Sequence, residues 1–193
     1  MCRFAYGLLN KPGVKSVFLY MSRTGQNIFL IGLPGAGKSS TGKLLAENLQ
    51  YPFLDTDKLI ESEEGITINE MFNNYGELYF RRLETELLIK IDIKDRVVAT
   101  GGGMPCHGDN LHYMKKKGLV VYLKGAPEYI AGRLKHDQPT LRPLINDSSM
   151  SNVVHKLKGL LRDRSDFYDS ADFIVDCQQS THEVVSDIRK CLR

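Results

Sequence analysis

The chain has 193 residues, 42% hydrophobic and 25% charged, which suits one well-buried α/β core and is short for two domains. No apolar run approaches the roughly 20 residues that span a bilayer, so no membrane partner is expected. The formal net charge is +3, but Arg3, Lys11, Lys15 and Arg23 fall in a first 25 residues without any acid. The rest is close to neutral and carries no nucleic-acid footprint. The four cysteines (Cys2, Cys106, Cys177, Cys191) show no CxxC spacing and fit reduced thiols of a cytoplasmic protein. The histidines form no metal-ligating cluster.

Residues 1–25 lack helical periodicity and are broken by Lys11-Pro12-Gly13. They are expected to be a dispensable basic extension, with Met21 as a candidate start and residues 26–193 as the working domain. The first convincing strand is 27–31, Asn-Ile-Phe-Leu-Ile, and it runs into Gly32-Leu33-Pro34-Gly35-Ala36-Gly37-Lys38-Ser39. The GxxxxGK[ST] spacing between a strand and an amphipathic helix is a P-loop. Its glycines let backbone N–H groups and the helix N-terminus face phosphate. Gly35, Ala36, Gly37, Lys38, Ser39 and Ser40 are therefore candidate nucleotide contacts. Lys38 reaches the β- and γ-phosphates, and the Ser39 hydroxyl is placed for Mg²⁺.

Beyond the loop, helical spacing is read over 43–49, a short strand over 52–55 and a short helix over 59–63. Asp55 and Asp57 end that strand, and an extended backbone would turn both carboxylates to one side. One would bind Mg²⁺ and the other accept a hydrogen bond from an attacking hydroxyl. The alternative is helix capping by one of them. Helices follow over 67–73 and 77–91, the latter with Phe80, Leu83, Leu87 and Ile91 in near-helical register. Arg81 and Glu84 stand at i,i+3, which by itself reads as a solvated ion pair. Were Arg81 turned inward, Glu84 would hold its fork ready for a carboxylate.

A strand over 96–100 ends in Gly101-Gly102-Gly103. Three glycines weaken regular structure, so they mark either close approach to a ligand or a turn requiring positive φ. Lys115-Lys116-Lys117 reads as a solvated helix end. Next come a buried strand over 119–123 and a helix over 128–135. The polar stretch 136–147 has Arg142 at its centre and reads as a surface loop or as a lid delivering Arg142 to developing charge. A helix over 150–163, a strand over 173–176 and a helix over 183–192 complete the chain. Short apolar strands alternating with helices make this an α/β protein with a parallel sheet covered on both faces.

Six motifs in this order resemble the shikimate kinase family: GLPGAGKSS at 32–40, FLDTD at 53–57, FRRLE at 80–84, TGGG at 100–103, LRPL at 141–144 and RSDFY at 164–168. The resemblance implies a three-layer P-loop kinase fold like that of nucleoside monophosphate kinases, with strand order 2-3-1-4-5 and a small lid. It implies ATP-dependent phosphorylation of the 3-hydroxyl of shikimate, giving shikimate 3-phosphate and ADP, on the route to chorismate and aromatic amino acids. By the same resemblance, Lys38 and Arg142 attend the transferring phosphate. Ser39 and Asp55 hold Mg²⁺, Asp55 through water, and Asp57 holds the substrate hydroxyls and is the candidate base. Arg81 and Arg164 grip the carboxylate, Gly101, Gly102 and Gly103 approach it through backbone, Phe72 and Phe80 form apolar wall, and Arg133 stacks on adenine. Where the family carries proline before its RxPxY tyrosine, this chain has Asp166. A monomer acting on ATP and shikimate is expected. The rivals are a gluconate or nucleotide kinase of the same architecture, and a nucleotide-driven switch, which the lack of an N/TKxD segment disfavours.

Overall fold

The computed structural model describes residues 25–91, 94–136 and 149–192. Its sheet has five strands: β1 (Asn27–Ile31), β2 (Phe53–Asp55), β3 (Val97–Ala99), β4 (Gly118–Lys124) and β5 (Phe173–Asp176). They pair in parallel in the order β2-β3-β1-β4-β5. β1 is central and buried at every position, which is why it reads as an unbroken apolar run and not as an alternating one. Its register sets Leu30 against Ala99 on one side and Val121 on the other. The edge strands β2 and β5 are only partly covered.

Eight α-helices are described: α1 (Lys38–Leu49), α2 (Thr56–Glu64), α3 (Ile68–Tyr75), α4 (Glu77–Lys90), α5 (Asn110–Lys117), α6 (Pro127–His136), α7 (Met150–Asp169) and α8 (Thr181–Cys191). α1 packs on β3 and α8, α6 on α7, and α4 on α3 and α5. One apolar core runs through the sheet, from Phe29, Leu30 and Ile31 to Leu45, Leu88, Val121 and Ile188. Capping boxes open two helices: Thr67 with Glu70 starts α3, and Ser180 with Glu183 starts α8.

The sequence reading needs three corrections. α2 begins at Thr56, three residues before the expected start, because Asp55 caps it by accepting the Lys58 N–H at 3.4 Å. Asp57 is therefore in a first helical turn, and the strand alternation that was to align it with Asp55 does not operate. α7 runs six residues past its expected end at 163, so Arg164, Asp166 and Tyr168 are all helical. A short 3₁₀ turn (Met104–Cys106) and α5 follow the glycine run where only a helix end at the lysines had been read. Lys117 there donates to the carbonyls of Ile89 and Ile91, tying down the end of α4. The basic extension (residues 1–24), most of the expected lid and Arg142 lie outside the described residues.

Candidate active site

The carboxyl ends of β1, β2 and β3 open into a cavity of about 280 Å³. Ligands bind at this end of open parallel sheets. Pro34, Lys38 and Ser39 line it from the P-loop, Asp55 and Asp57 from the β2–α2 corner, and Gly101 to Gly103 from the end of β3. Phe72, Phe80, Arg81, Glu84 and Arg164 close it from α3, α4 and α7. Most of the residues singled out in the sequence thus share one space.

On the phosphate side, Gly35 and Gly37 adopt φ of 86° and 91°, left-handed values that let the loop curl before α1. Lys38 is buried, and its ammonium donates to the carbonyls of Gly32 and Leu33 at 2.8 and 2.9 Å. Ser39 Oγ donates to Asp55 Oδ2 at 2.6 Å. Asp55 therefore caps the helix, as the alternative reading had it, and also engages the P-loop serine. Gly35, Ala36, Gly37, Ser40 and Arg133 do not line this cavity. Arg133 lies over the loop: a Cβ on Gly37 would come within 2.9 Å of its guanidinium.

The opposite wall carries two buried cations. Arg81, 7% exposed, donates through Nη1 to Glu84 at 2.7 Å and through Nη2 to Glu77 at 2.8 Å. Glu84 is 0% exposed, so this is not the solvated pair that i,i+3 spacing ordinarily implies. Burial pushes the Glu84 carboxyl up to about 7, overcoming the downward pull of Arg81, while neighbouring Asp57 adds to the rise. Arg164, also buried, faces the same carboxylate from α7 and pulls it down. Glu84 Oε1 has no hydrogen-bond partner among the described residues.

The glycine run is explained by crowding. None of Gly101, Gly102 and Gly103 has positive φ, so the turn they make into the next segment does not require glycine for its backbone angles. A Cβ on Gly101 would stand 2.5 Å from Glu84 Oε1 and 2.6 Å from Asp57 Oδ1, and one on Gly103 would stand 2.6 Å from the Arg81 guanidinium. Asp57, Glu84 and Arg81 thus converge on bare backbone. The Gly101 N–H donates to buried Thr56 Oγ1 at 3.0 Å, and the Gly102 carbonyl accepts from Tyr168 at 2.6 Å.

Sequence reasoning passed over Thr56, Thr100 and Tyr168, and gave Glu77 no role. Two had a legible signal, since Glu77 precedes Arg81 by four residues and Tyr168 follows Arg164 by four, the spacing of helical neighbours. Thr56 and Thr100 carried none: Thr56 accepts from Gly101 because β2 lies beside β3, and Thr100 donates to the Leu30 carbonyl because β3 lies beside β1.

Comparison with known proteins agrees with this geometry. The family model described as "Shikimate kinase" matches residues 34–193. Shikimate kinase of Geobacter sulfurreducens is 42% identical over 171 residues, 88% of this chain and 92% of that protein. That of Thermodesulfovibrio yellowstonii is 40% identical over 163 residues, 84% of this chain and 91% of the relative. The structure of Acinetobacter baumannii shikimate kinase in complex with shikimate superposes with a TM-score of 0.82 at 34% identity, covering 90% of this chain and 96% of the other. A gluconokinase from Sinorhizobium meliloti, at 20% identity and a TM-score of 0.58, shares the fold alone. With a P-loop and two buried arginines facing one cavity, and a family match running from Pro34 to the last residue, the chain belongs to the shikimate kinase family.

Proposed function

We propose that the chain transfers the γ-phosphoryl group of ATP to the 3-hydroxyl of shikimate, releasing ADP and shikimate 3-phosphate. The observation that carries this reading is the single cavity in which Lys38 and Ser39 face Asp57, Arg81 and Arg164. A small polyhydroxylated acid needs cations for its carboxylate, an acceptor for its hydroxyls and a dry place for the transferring group. Arg81 and Arg164 supply the first, with the Gly102 and Gly103 backbone beside them. Asp57 supplies the second: it orients the attacking hydroxyl and takes its proton. Phe72 and Phe80, whose rings meet at 5.3 Å, form the apolar wall.

Lys38 leaves its loop carbonyls to neutralise the phosphates, held there by the backbone of Gly35, Ala36, Gly37, Ser39 and Ser40. Arg133, over Gly37, is placed for the base of the nucleotide. We assign Arg142, outside the described residues, to the charge on the transferring group. Mg²⁺ fits the donors present: Ser39 and Asp55 offer hard oxygen ligands, and no cluster of three or more His, Cys, Asp or Glu is found among the described residues. Mg²⁺ bound by few protein oxygens, with water and phosphate completing its shell, matches that set. When bound, it neutralises charge on the β- and γ-phosphates.

The free thiols of Cys106, Cys177 and Cys191 suit a reducing compartment, and no described helix is long and apolar enough to cross a membrane. A cytoplasmic monomer is part of this proposal. The test is mass-spectrometric detection of phosphorylated shikimate from protein, MgATP and shikimate, against parallel reactions with gluconate and nucleoside monophosphates. Transfer to either of those and not to shikimate would overturn the reading.

A further inference from the structure

Gly101, Gly102 and Gly103 have no side chains with which to hold their own conformation, yet they form the floor under the acid-binding end of the cavity. Gly101 is fixed by Thr56 and by its carbonyl, which accepts the Met104 N–H at 3.1 Å. The Gly102 and Gly103 N–H groups bond no described residue. Between them, the Gly102–Gly103 peptide is anchored through one contact, the Tyr168 hydroxyl donating to the Gly102 carbonyl at 2.6 Å. A trans peptide points its N–H away from its carbonyl. Pinning that carbonyl against α7 therefore turns the Gly103 N–H away from α7.

Arg164 lies one helical turn before Tyr168 on α7, so the cation proposed for the substrate carboxylate and the phenol that holds the glycine backbone share one helix face. Tyr168 is 0% exposed, and its ring is clamped against Tyr122 with centroids 5.0 Å apart. The hydroxyl cannot swing out to water.

We propose that Tyr168 is a positioning residue for the acid end of the substrate, setting with its hydroxyl the direction of the Gly102–Gly103 peptide. This rests on the reading that Arg164 and the glycine backbone receive the shikimate carboxylate. It predicts that losing one oxygen atom behind the cavity wall weakens shikimate more than the nucleotide, because the hydroxyl's partner is the Gly102 carbonyl and not a P-loop group.

The test is Tyr168→Phe, which keeps the ring and removes the hydroxyl, beside Tyr122→Phe, which deletes the neighbouring buried phenol. In Tyr168→Phe the KM for shikimate should rise about tenfold, the scale of one lost charge-assisted hydrogen bond, with kcat and the KM for ATP within about twofold of wild type. In the unliganded protein, the Gly103 amide should exchange faster. Tyr122→Phe should change neither the shikimate KM nor that exchange. A shikimate KM that stays at the wild-type value, or KM values for both substrates rising together in both variants, would overturn the proposal. So would an unchanged Gly103 exchange rate, a comparison that needs no substrate. Failure of the functional reading shows separately, as wild-type protein that does not phosphorylate shikimate.

Discussion

Replacing Gly101 by alanine adds one methyl group at the most crowded point of the site. The new carbon would sit 2.5 Å from Glu84 Oε1 and 2.6 Å from Asp57 Oδ1, roughly 1 Å inside ordinary carbon–oxygen contact. Neither carboxylate can retreat cheaply: Glu84 is 0% exposed and tied to Arg81, and Asp57 sits in the first turn of α2. Overpacking of this kind costs about 1–3 kcal/mol of stability. The larger effect falls on turnover, since displacing Asp57 by about 1 Å from the attacking hydroxyl is worth about 10²-fold. We expect kcat for shikimate to fall about 100-fold while the affinity for ATP, which the P-loop governs, changes by less than threefold. Coupled ADP release gives kcat, and fluorescence titration with a nucleotide analogue gives the second quantity. An alanine variant with wild-type turnover and melting temperature would refute the claim that the glycine run exists to admit these carboxylates.

Asp57→Asn keeps the shape and removes the proposed base, so turnover should drop by at least about 10² with nucleotide binding retained; unchanged turnover would remove Asp57 from the mechanism. Arg81→Lys should raise the shikimate KM by about tenfold or more, because a point charge cannot satisfy Glu77, Glu84 and an incoming carboxylate at once, and a normal KM would reduce Arg81 to a structural role. Glu84 has its folded pKa raised from 4.5 to about 7 by burial, set against Arg81 and Arg164, with Asp57 adding to the rise. Its contribution to stability is complete below pH 4.5 and lost as pH climbs through 7, a swing of about 3 kcal/mol. Urea midpoints between pH 5 and 8 should therefore fall in wild type relative to Glu84→Gln, and parallel curves would contradict the burial argument. Gly159→Ala, inside α7 with open space around its Cα, should stabilise the protein by about 0.5–1 kcal/mol in the same urea assay.

The P-loop and β1 were legible because their signals are local: an apolar run, then glycines at fixed spacing before a lysine. Strands 27–31 and 173–176 fall where the pattern placed them. Asp57 was assigned to the cavity for a reason that proved false. It reaches the site as a helical residue, steered by the Asp55 cap, and a period-2 argument has no access to where capping ends a strand. Arg81 was undecidable from spacing, since the same i,i+3 pair serves a wet surface or a dry wall. What decides it is Gly103, whose bare Cα leaves room for the guanidinium 22 residues away in sequence. Tyr168 was visible as the end of a motif and in its spacing from Arg164, but its partner is a main-chain oxygen with no signature in the sequence.

The bonds from Lys38 to two carbonyls of its own loop make that ammonium a part of the loop's scaffold. A neutral side chain there would leave the Gly32 and Leu33 oxygens without their donor, so the curl of the cradle and the charge beside it cannot be varied one without the other.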